Sequence, residues 1–236
     1  MTRVTRLAAR GVLALLLIGV AGCNLSKPYP DKAFFAIDAG QPARAAHPIS
    51  PLTLRIYSIL VARPYDVRAF VYKTGASRFE TDYYNGFIAA PSELLTGTLV
   101  DWMKRAGLFA VVVDSDSRMA DQFVLEGNVR EMYGDYSDRR NPQAVMTAAF
   151  FLIDDRPVDG RVIFQKTYHV SAPVGAKGPE ALSAALNAAW RNILTDLTAD
   201  LAGVQVAADD RGPADKAVTR PSPAGTEASG PKHPAG

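Results

Sequence analysis

The sequence predicts a single α+β domain, in which a mixed or mostly antiparallel sheet of about six to seven strands packs against two main helices. Apolar runs and alternating segments, bounded by turn residues, recur through the middle of the chain. Two longer segments repeat apolar residues at helical spacing. The elements follow in the order strands, helix, strands, helix, which is typical of α+β domains. Residues 33–203 hold all of them and are enough for one domain.

The first strands precede the first helix. Bounding prolines and partial alternation predict a strand over Thr53–Val61. A turn over Thr74–Ser77 predicts a hairpin between Arg68–Lys73 and Phe79–Tyr84. In the second arm we expect alternate residues to face the core and water: Phe79, Thr81 and Tyr83 inward, and Arg78, Glu80 and Asp82 outward.

The first helix begins at Pro91, a residue that suits the first helical position, and Gly107 suits its C-terminal cap. The apolar run Leu108–Val113 predicts a buried strand. Three long strands and a closing helix follow, and we expect the middle one of the three to be central because it is apolar on both faces. These elements are Gln122–Tyr133, Ala144–Ile153, Arg161–Val170 and the helix Glu180–Ala202.

The N-terminus has the features of a bacterial lipoprotein signal. Arg3, Arg6 and Arg10 precede an apolar run, Gly11–Ala21, which is shorter than the roughly 20 residues that a membrane-spanning helix needs. The run ends in Val20-Ala21-Gly22-Cys23, where small residues precede the single cysteine of the chain. This pattern predicts a signal peptide over 1–22 and attachment of lipid to the thiol of Cys23. The alternative is a cysteine that merely lies near an ordinary cleavage site.

Acylation of Cys23 predicts a lasting membrane anchor, because a mature bacterial lipoprotein carries three acyl chains and one chain alone binds only marginally. Residues 23–32, with Pro28 and Pro30, form the predicted lipidated tether. Residues 204–236 are rich in Pro, Gly, Ala and charge, and we expect a disordered tail. Asn24 stands where an aspartate retains enteric lipoproteins at the inner membrane, which favours the outer membrane and a domain facing the periplasm.

The charge balance indicates no nucleic-acid partner. Removing Arg3, Arg6 and Arg10 from the 26 basic residues leaves 23 against 24 acidic ones. A nucleic-acid-binding domain would be expected to be basic.

Few residues suggest chemistry, and each has an alternative structural explanation. His169 is a candidate base or metal ligand, or a solvated strand residue. Asp154 and Asp155 are a candidate acid–base pair, or turn residues before a proline. Asp114–Ser117 resembles the start of a calcium loop, or is a strand exit. The charged loop Asp135–Arg140 is solvated, or binds a protein partner or lipid head groups. We expect no catalytic residue, no metal and no cofactor.

Aromatic residues of the hairpin and the last helix are the candidates for a partner interface. Tyr84 falls on the charged face of its predicted strand, where tyrosine often anchors an interface. Phe87 follows it, and Trp190 widens the apolar stripe of the last helix. Tyr84, Phe87 and Trp190 therefore mark either core packing or a contact with a partner, a second copy of the chain included.

Five segments follow the lipobox cysteine in this order: Lys32–Asp38, Ala69–Lys73, Tyr83–Pro91, Leu108–Val112 and Phe123–Gly127. Together, in their order and spacing, they resemble the ABC-type transport auxiliary lipoprotein family. The resemblance covers roughly residues 33–203. Phe87 lies near the position where many members of the family have tryptophan.

The resemblance implies a role without a reaction. Members of this family sit beside transporters that carry MCE-domain (mammalian cell entry) subunits and move lipids between Gram-negative membranes. The implied partners are a membrane, an MCE-domain periplasmic protein and the ABC transporter subunits, and the implied task is to dock or complete the periplasmic assembly. The alternative is a structural or assembly lipoprotein of another envelope machine, such as a secretion channel.

Overall fold

In a computed structural model, which describes residues 31–45 and 48–204, the chain forms one mixed sheet with helices on one face. The predicted α+β class is confirmed. The signal peptide, the anchor Cys23, nearly all of the tether and nearly all of the tail lie outside the described residues, as do His47 and His233. Within the described residues, no helix has the length and apolarity to cross a bilayer.

In the described part of the chain, the sheet has nine strands, and two helices pack against it. The helices are α1 (Pro91–Ala106) and α2 (Pro179–Ala202). The strands are β1 (Ala33–Phe35), β2 (Ser50–Ile56), β3 (Leu60–Val61), β4 (Ala69–Lys73), β5 (Phe79–Phe87), β6 (Phe109–Asp114), β7 (Phe123–Asp135), β8 (Gln143–Asp154) and β9 (Arg161–Pro173).

Strand β7 organises the sheet. Strand β8 pairs antiparallel along one whole edge of β7, and β9 continues antiparallel beyond β8. The other edge of β7 is shared by three short parallel strands: β2 at its beginning, β3 in its middle and β4 at its end. Strand β6 extends the β2 branch, while β5 and then β1 extend the β4 branch. The two branches therefore lie at opposite ends of β7.

Two sequence expectations about the strands are corrected. The segment Thr53–Val61 is not one strand: the chain leaves the sheet after Ile56, and the backbone N–H of Ile59 donates to the Thr96 hydroxyl of α1 at 2.8 Å. Strand β6 pairs only with β2 among the described residues, so it lies at an edge. Its outer side chains reach water, and Val111 is 37% exposed.

Reciprocal hydrogen bonds join the two helices. The indole of Trp102 in α1 donates to the Thr198 hydroxyl of α2 at 2.8 Å, and the indole of Trp190 in α2 donates to the Thr98 hydroxyl of α1 at 2.9 Å. Each pair gives a buried N–H group its acceptor, which spares the helix interface an unpaired donor. These two hydrogen bonds fix the alignment of α1 along α2.

Helix α1 begins at Pro91 as predicted, and α2 begins at Pro179, one residue before the predicted start at Glu180. The Asp66 carboxylate, from the chain before β4, accepts from the backbone N–H and the hydroxyl of Ser92 at 3.0 and 3.2 Å. Gly107 closes α1 with φ of 68°, a conformation that side chains disfavour.

Candidate functional surface

Strand β1 is the first element of the domain after the predicted anchor Cys23. Ala33, the first residue of β1, follows Cys23 by ten positions. Strand β1 pairs parallel with the end of β5 and forms the edge of the β4 branch. The structure thus places the edge of this branch next to the predicted lipidated tether.

Two of the three predicted interface residues lie in the interior. Phe87 is 4% exposed, because its ring packs edge-on against Phe70 with centroids 4.9 Å apart. Trp190 is fully buried, tilted against Phe150 at 6.3 Å. Neither ring is available to a partner, since both are buried under neighbouring side chains. Tyr84 is half-buried at the surface, and its interface role stays a prediction.

An irregularity in β5 brings a different tyrosine to the surface. Val71 pairs with Thr81 but Ala69 pairs with Gly86, so β5 contains extra residues between these two points. Alternation breaks there, and Tyr83 is 69% exposed instead of facing inward. Phe79, the other aromatic residue expected inside, is 44% exposed.

The Asp82 carboxylate holds this irregular segment. It accepts from the backbone N–H groups of Tyr84 and Asn85 at 2.9 and 3.0 Å, from the Asn85 amide and from the Tyr72 hydroxyl. Burial raises the pKa of Asp82, but these hydrogen bonds outweigh burial and hold it below its usual range. Asp82 therefore stays ionised and shapes the strand, although its position in the sequence suggested only a solvated residue.

Five exposed residues around β1, together with the half-buried Tyr84, form a surface that is here called the β1-edge surface: Lys32, Phe34, Arg68, Tyr83, Tyr84 and Ile88. The Lys32 ammonium lies 4.5 Å from the centroid of the Tyr83 ring, and the Arg68 guanidinium lies 5.0 Å from that of Phe34. Tyr83 and Tyr84 meet edge-on at 5.0 Å. The surface combines aromatic rings with cations, at the place where the tether joins the domain.

An open cleft of about 470 Å³ is lined in part by the hairpin residues Tyr72, Thr74 and Glu80. Tyr72 and Tyr136 meet edge-on at 5.4 Å in its wall, and Arg139 and Lys177 line its rim. Burial raises the pKa of both tyrosines, and for Tyr72 the hydrogen bond to Asp82 adds to it. Both hydroxyls therefore remain protonated donors. Tyr136 and Arg139, which line the cleft, belong to the charged loop Asp135–Arg140.

His169 belongs to a row of polar side chains that crosses three strands. Register places Glu131, Thr147 and His169 side by side on the sheet face away from the helices. The Thr147 hydroxyl donates to Glu131, and its oxygen lies 2.8 Å from Nδ1 of His169. A hydroxyl has one proton to give, so it accepts from His169 rather than donating to it. This arrangement does not make Thr147 a nucleophile with histidine as its base.

Of the candidate acid–base pair, Asp154 has a structural role and Asp155 is exposed. Asp154 is 2% exposed and accepts from Nε of Arg156 at 2.8 Å, while Asp155 points to water. Hydrogen bonds from Arg156 lower the pKa of Asp154, which keeps it ionised and unsuited to a general acid. Among the described residues, no group of histidine, cysteine and acidic side chains has the arrangement of a metal site.

The loop that resembled a calcium site is organised by Arg55, a residue that the sequence did not single out. The Arg55 guanidinium donates to the carbonyl oxygens of Asp114, Ser117 and Met119 at 2.6–3.0 Å. It also forms an ion pair with Asp121 at 2.8 Å. The available signal was an arginine between Leu54 and Ile56 in a predicted strand, where a buried cation requires partners.

Comparisons with solved structures identify the fold. A protein from Xanthomonas campestris, assigned to the DUF330 family, has 20% identity to this chain and a TM-score of 0.64, over 70% of this chain and 92% of its own. An uncharacterized protein has 15% identity and a TM-score of 0.58, over 72% and 99%. At these identities the likeness shows the fold alone.

A lipoprotein from Neisseria meningitidis is similar at a lower level, with 13% identity and a TM-score of 0.32, over 61% of this chain and 98% of its own. No protein-family model and no curated protein matches the chain.

Proposed function

We propose that the protein is a non-enzymatic, membrane-anchored lipoprotein of an MCE-associated ABC-type lipid transport system in the Gram-negative envelope. In this role it docks or completes the periplasmic assembly from the outer membrane. The observation that carries the proposal is the lipobox ending in Cys23, ten residues before the first strand of the domain. The resemblance of residues 33–203 to the auxiliary lipoprotein family supports the choice of machine.

The chemistry of the described residues favours a docking role over a reaction. Asp82 and Asp154 are held ionised by hydrogen bonds, and Arg55 is enclosed by backbone carbonyls and Asp121. These groups shape loops and strands. A catalytic acid or base would instead need a pKa near the working pH and a position within hydrogen-bonding reach of a substrate.

The test is isolation of the acylated full-length protein from membranes after mild cross-linking. We expect an MCE-domain protein or a transporter subunit to be recovered with it. The matched control is Cys23→Ser, which lacks the thiol for acylation and should leave the membrane fraction. Mass spectrometry of the N-terminal peptide tests the acylation directly.

Two results would overturn the proposal. A bare thiol at Cys23 in the mature protein would remove the anchor. Recovery of a secretion channel, with no transporter component, would favour the alternative of an assembly lipoprotein for another envelope machine.

A further inference from the structure

We propose that the β1-edge surface lies against the lipid bilayer that holds the Cys23 anchor. The domain would then keep one fixed face toward the membrane instead of swinging on its tether. This inference rests on the lipid anchor of the proposed function and deepens it, because it assigns a lipid-binding role to Lys32, Phe34, Arg68, Tyr83, Tyr84 and Ile88.

The length of the tether places this surface close to the membrane. Nine peptide units separate Cys23 from Lys32, and a fully extended chain spans about 3.3–3.6 Å per residue. Lys32, the residue of the surface nearest to the anchor along the chain, therefore cannot lie more than roughly 30 Å from Cys23. A short tether gives the surface a high effective concentration at the bilayer, so that weak individual contacts suffice.

The exposed side chains match the interfacial region of a bilayer. Phe34, Tyr83 and Ile88 are 53%, 69% and 58% exposed, although a folded domain usually buries residues of this size. Aromatic rings are enriched at the level of the lipid head groups, where an apolar body and a polar tip are both satisfied. The three side chains offer one aliphatic and two aromatic groups for insertion.

The cations of the surface fit phospholipid phosphates. Lys32 and Arg68 lie over the Tyr83 and Phe34 rings, so each charge is held beside a ring that would insert. Long basic side chains place their charge at the head groups while their stems remain apolar. Asp31 precedes Lys32 in the chain and offsets part of this charge, so insertion of the rings contributes more than electrostatic attraction.

The shape of the edge favours a bilayer over an added protein strand. A partner strand would pair with β1, which has three residues and therefore few free backbone groups to offer. The exposed groups of this edge are instead side chains. Gly86, the partner of Phe34 in β5, has no side chain, so the surface is uneven there. A lipid bilayer can adapt to an uneven surface, whereas an added strand would need matching backbone groups.

The experiment measures how close defined positions lie to lipid. The acylated full-length protein is incorporated into vesicles of phosphatidylethanolamine and phosphatidylglycerol. With Cys23 acylated, a cysteine introduced by Ile88→Cys is the sole free thiol and accepts an environment-sensitive nitrobenzoxadiazole (NBD) label. Doxyl-labelled lipids should then reduce the emission of the label roughly twofold, since interfacial apolar groups insert about 5–10 Å into the boundary between head groups and acyl chains.

The matched control is Val158→Cys, labelled in the same way. Val158 is fully exposed in the β8–β9 turn, next to the beginning of β7, whereas β4, β5 and β1 branch from its end. We expect no quenching of the label at this position. Comparable quenching at both positions would show a domain without a fixed face and overturn the inference.

A second variant separates docking from anchoring. Phe34→Ser with Tyr83→Ser changes two exposed side chains, so the fold should persist. We expect the variant to float with vesicles as before, while quenching at position 88 falls to the level of position 158. Unchanged quenching in this variant would contradict the assigned surface.

The remaining outcomes are also distinct. Flotation without quenching at position 88 leaves the anchor and the proposed function intact but refutes docking on lipid. Protection of the label by an added transporter component, and not by vesicles, assigns the surface to a protein partner and refutes the inference. Failure of every acylated variant to float would instead contradict the lipid anchor itself.

Discussion

Replacement of Arg55 by methionine should destabilise the domain strongly, because one guanidinium holds the whole β6–β7 loop. Its side chain is 10% exposed and that of its partner Asp121 is 15% exposed. Removing one member of a buried pair costs about 3–5 kcal/mol, since the other charge stays buried without compensation. Water can still reach part of Asp121, so we expect about 3 kcal/mol, at the lower end of this range.

Urea unfolding followed by circular dichroism measures this change. With a slope of about 2 kcal/mol/M, the loss corresponds to a midpoint lowered by about 1.5 M. Arg55→Lys should fall between wild type and Arg55→Met, because one ammonium cannot reach three carbonyls and a carboxylate together.

The matched control is Arg105→Met on α1. Its ion pair with Asp101 is 3.6 Å long, and both side chains are about half exposed. Exposed pairs contribute about 0–1 kcal/mol, so the midpoint should move by less than about 0.5 M. A shift this small for Arg55→Met, or an Arg55→Lys variant as stable as wild type, would refute the assignment of Arg55 as the organiser of this loop.

Three further predictions concern the fold. Thr198→Val removes the acceptor of the buried Trp102 indole and should lower the free energy of unfolding by about 1–3 kcal/mol, measured by urea denaturation; no loss would contradict the helix–helix hydrogen bond. The lowered pKa of Asp154 predicts a contribution to stability that is present above the unfolded-state pKa of about 3.9 and is lost as pH falls through the folded-state value. Asp154→Asn should therefore flatten the dependence of stability on pH below about 4. If the variant lost stability at low pH as steeply as wild type, the role of Asp154 as a buried, ionised acceptor would be contradicted. Gly86→Ala should prevent stable folding, because its Cβ would overlap the backbone carbonyl oxygen of Arg68. Gly97→Ala, where the new methyl meets nothing within 4 Å, should raise the thermal midpoint through a gain of about 0.5–1 kcal/mol; equal effects of the two changes would refute this reasoning.

Elements with a strong local signal followed the sequence prediction. Helix α1 begins at Pro91 and ends before Gly107, because fixed φ of proline and the left-handed conformation of glycine act within one turn. The long strands β7, β8 and β9 lie within a few residues of their predicted limits, since their length leaves little ambiguity. The hairpin turn at Thr74–Ser77 was equally local: its ends are joined by a hydrogen bond from Thr74 N–H to the Arg78 carbonyl.

Predictions that required knowledge of neighbours were less successful. The face of β5 changes at Asp82 because Tyr72 and Asn85 supply donors to its carboxylate, and those donors come together only in the folded chain. Phe87 and Trp190 looked suited to an interface, yet Phe70 and Phe150 cover them. Periodicity states which residues are apolar, but not which apolar surface will cover them.

The sequence by itself determined the order and type of the main elements and predicted an anchor at Cys23, because turn chemistry, helical spacing and the lipobox are read over a few residues. Only the tertiary structure decided that β7 carries three parallel strands on one edge, that Arg55 holds the β6–β7 loop, and that Tyr83 rather than Phe87 reaches the surface. Each of these depends on contacts between residues far apart in the chain, whose pairing follows from collective burial of apolar area and the satisfaction of buried polar groups.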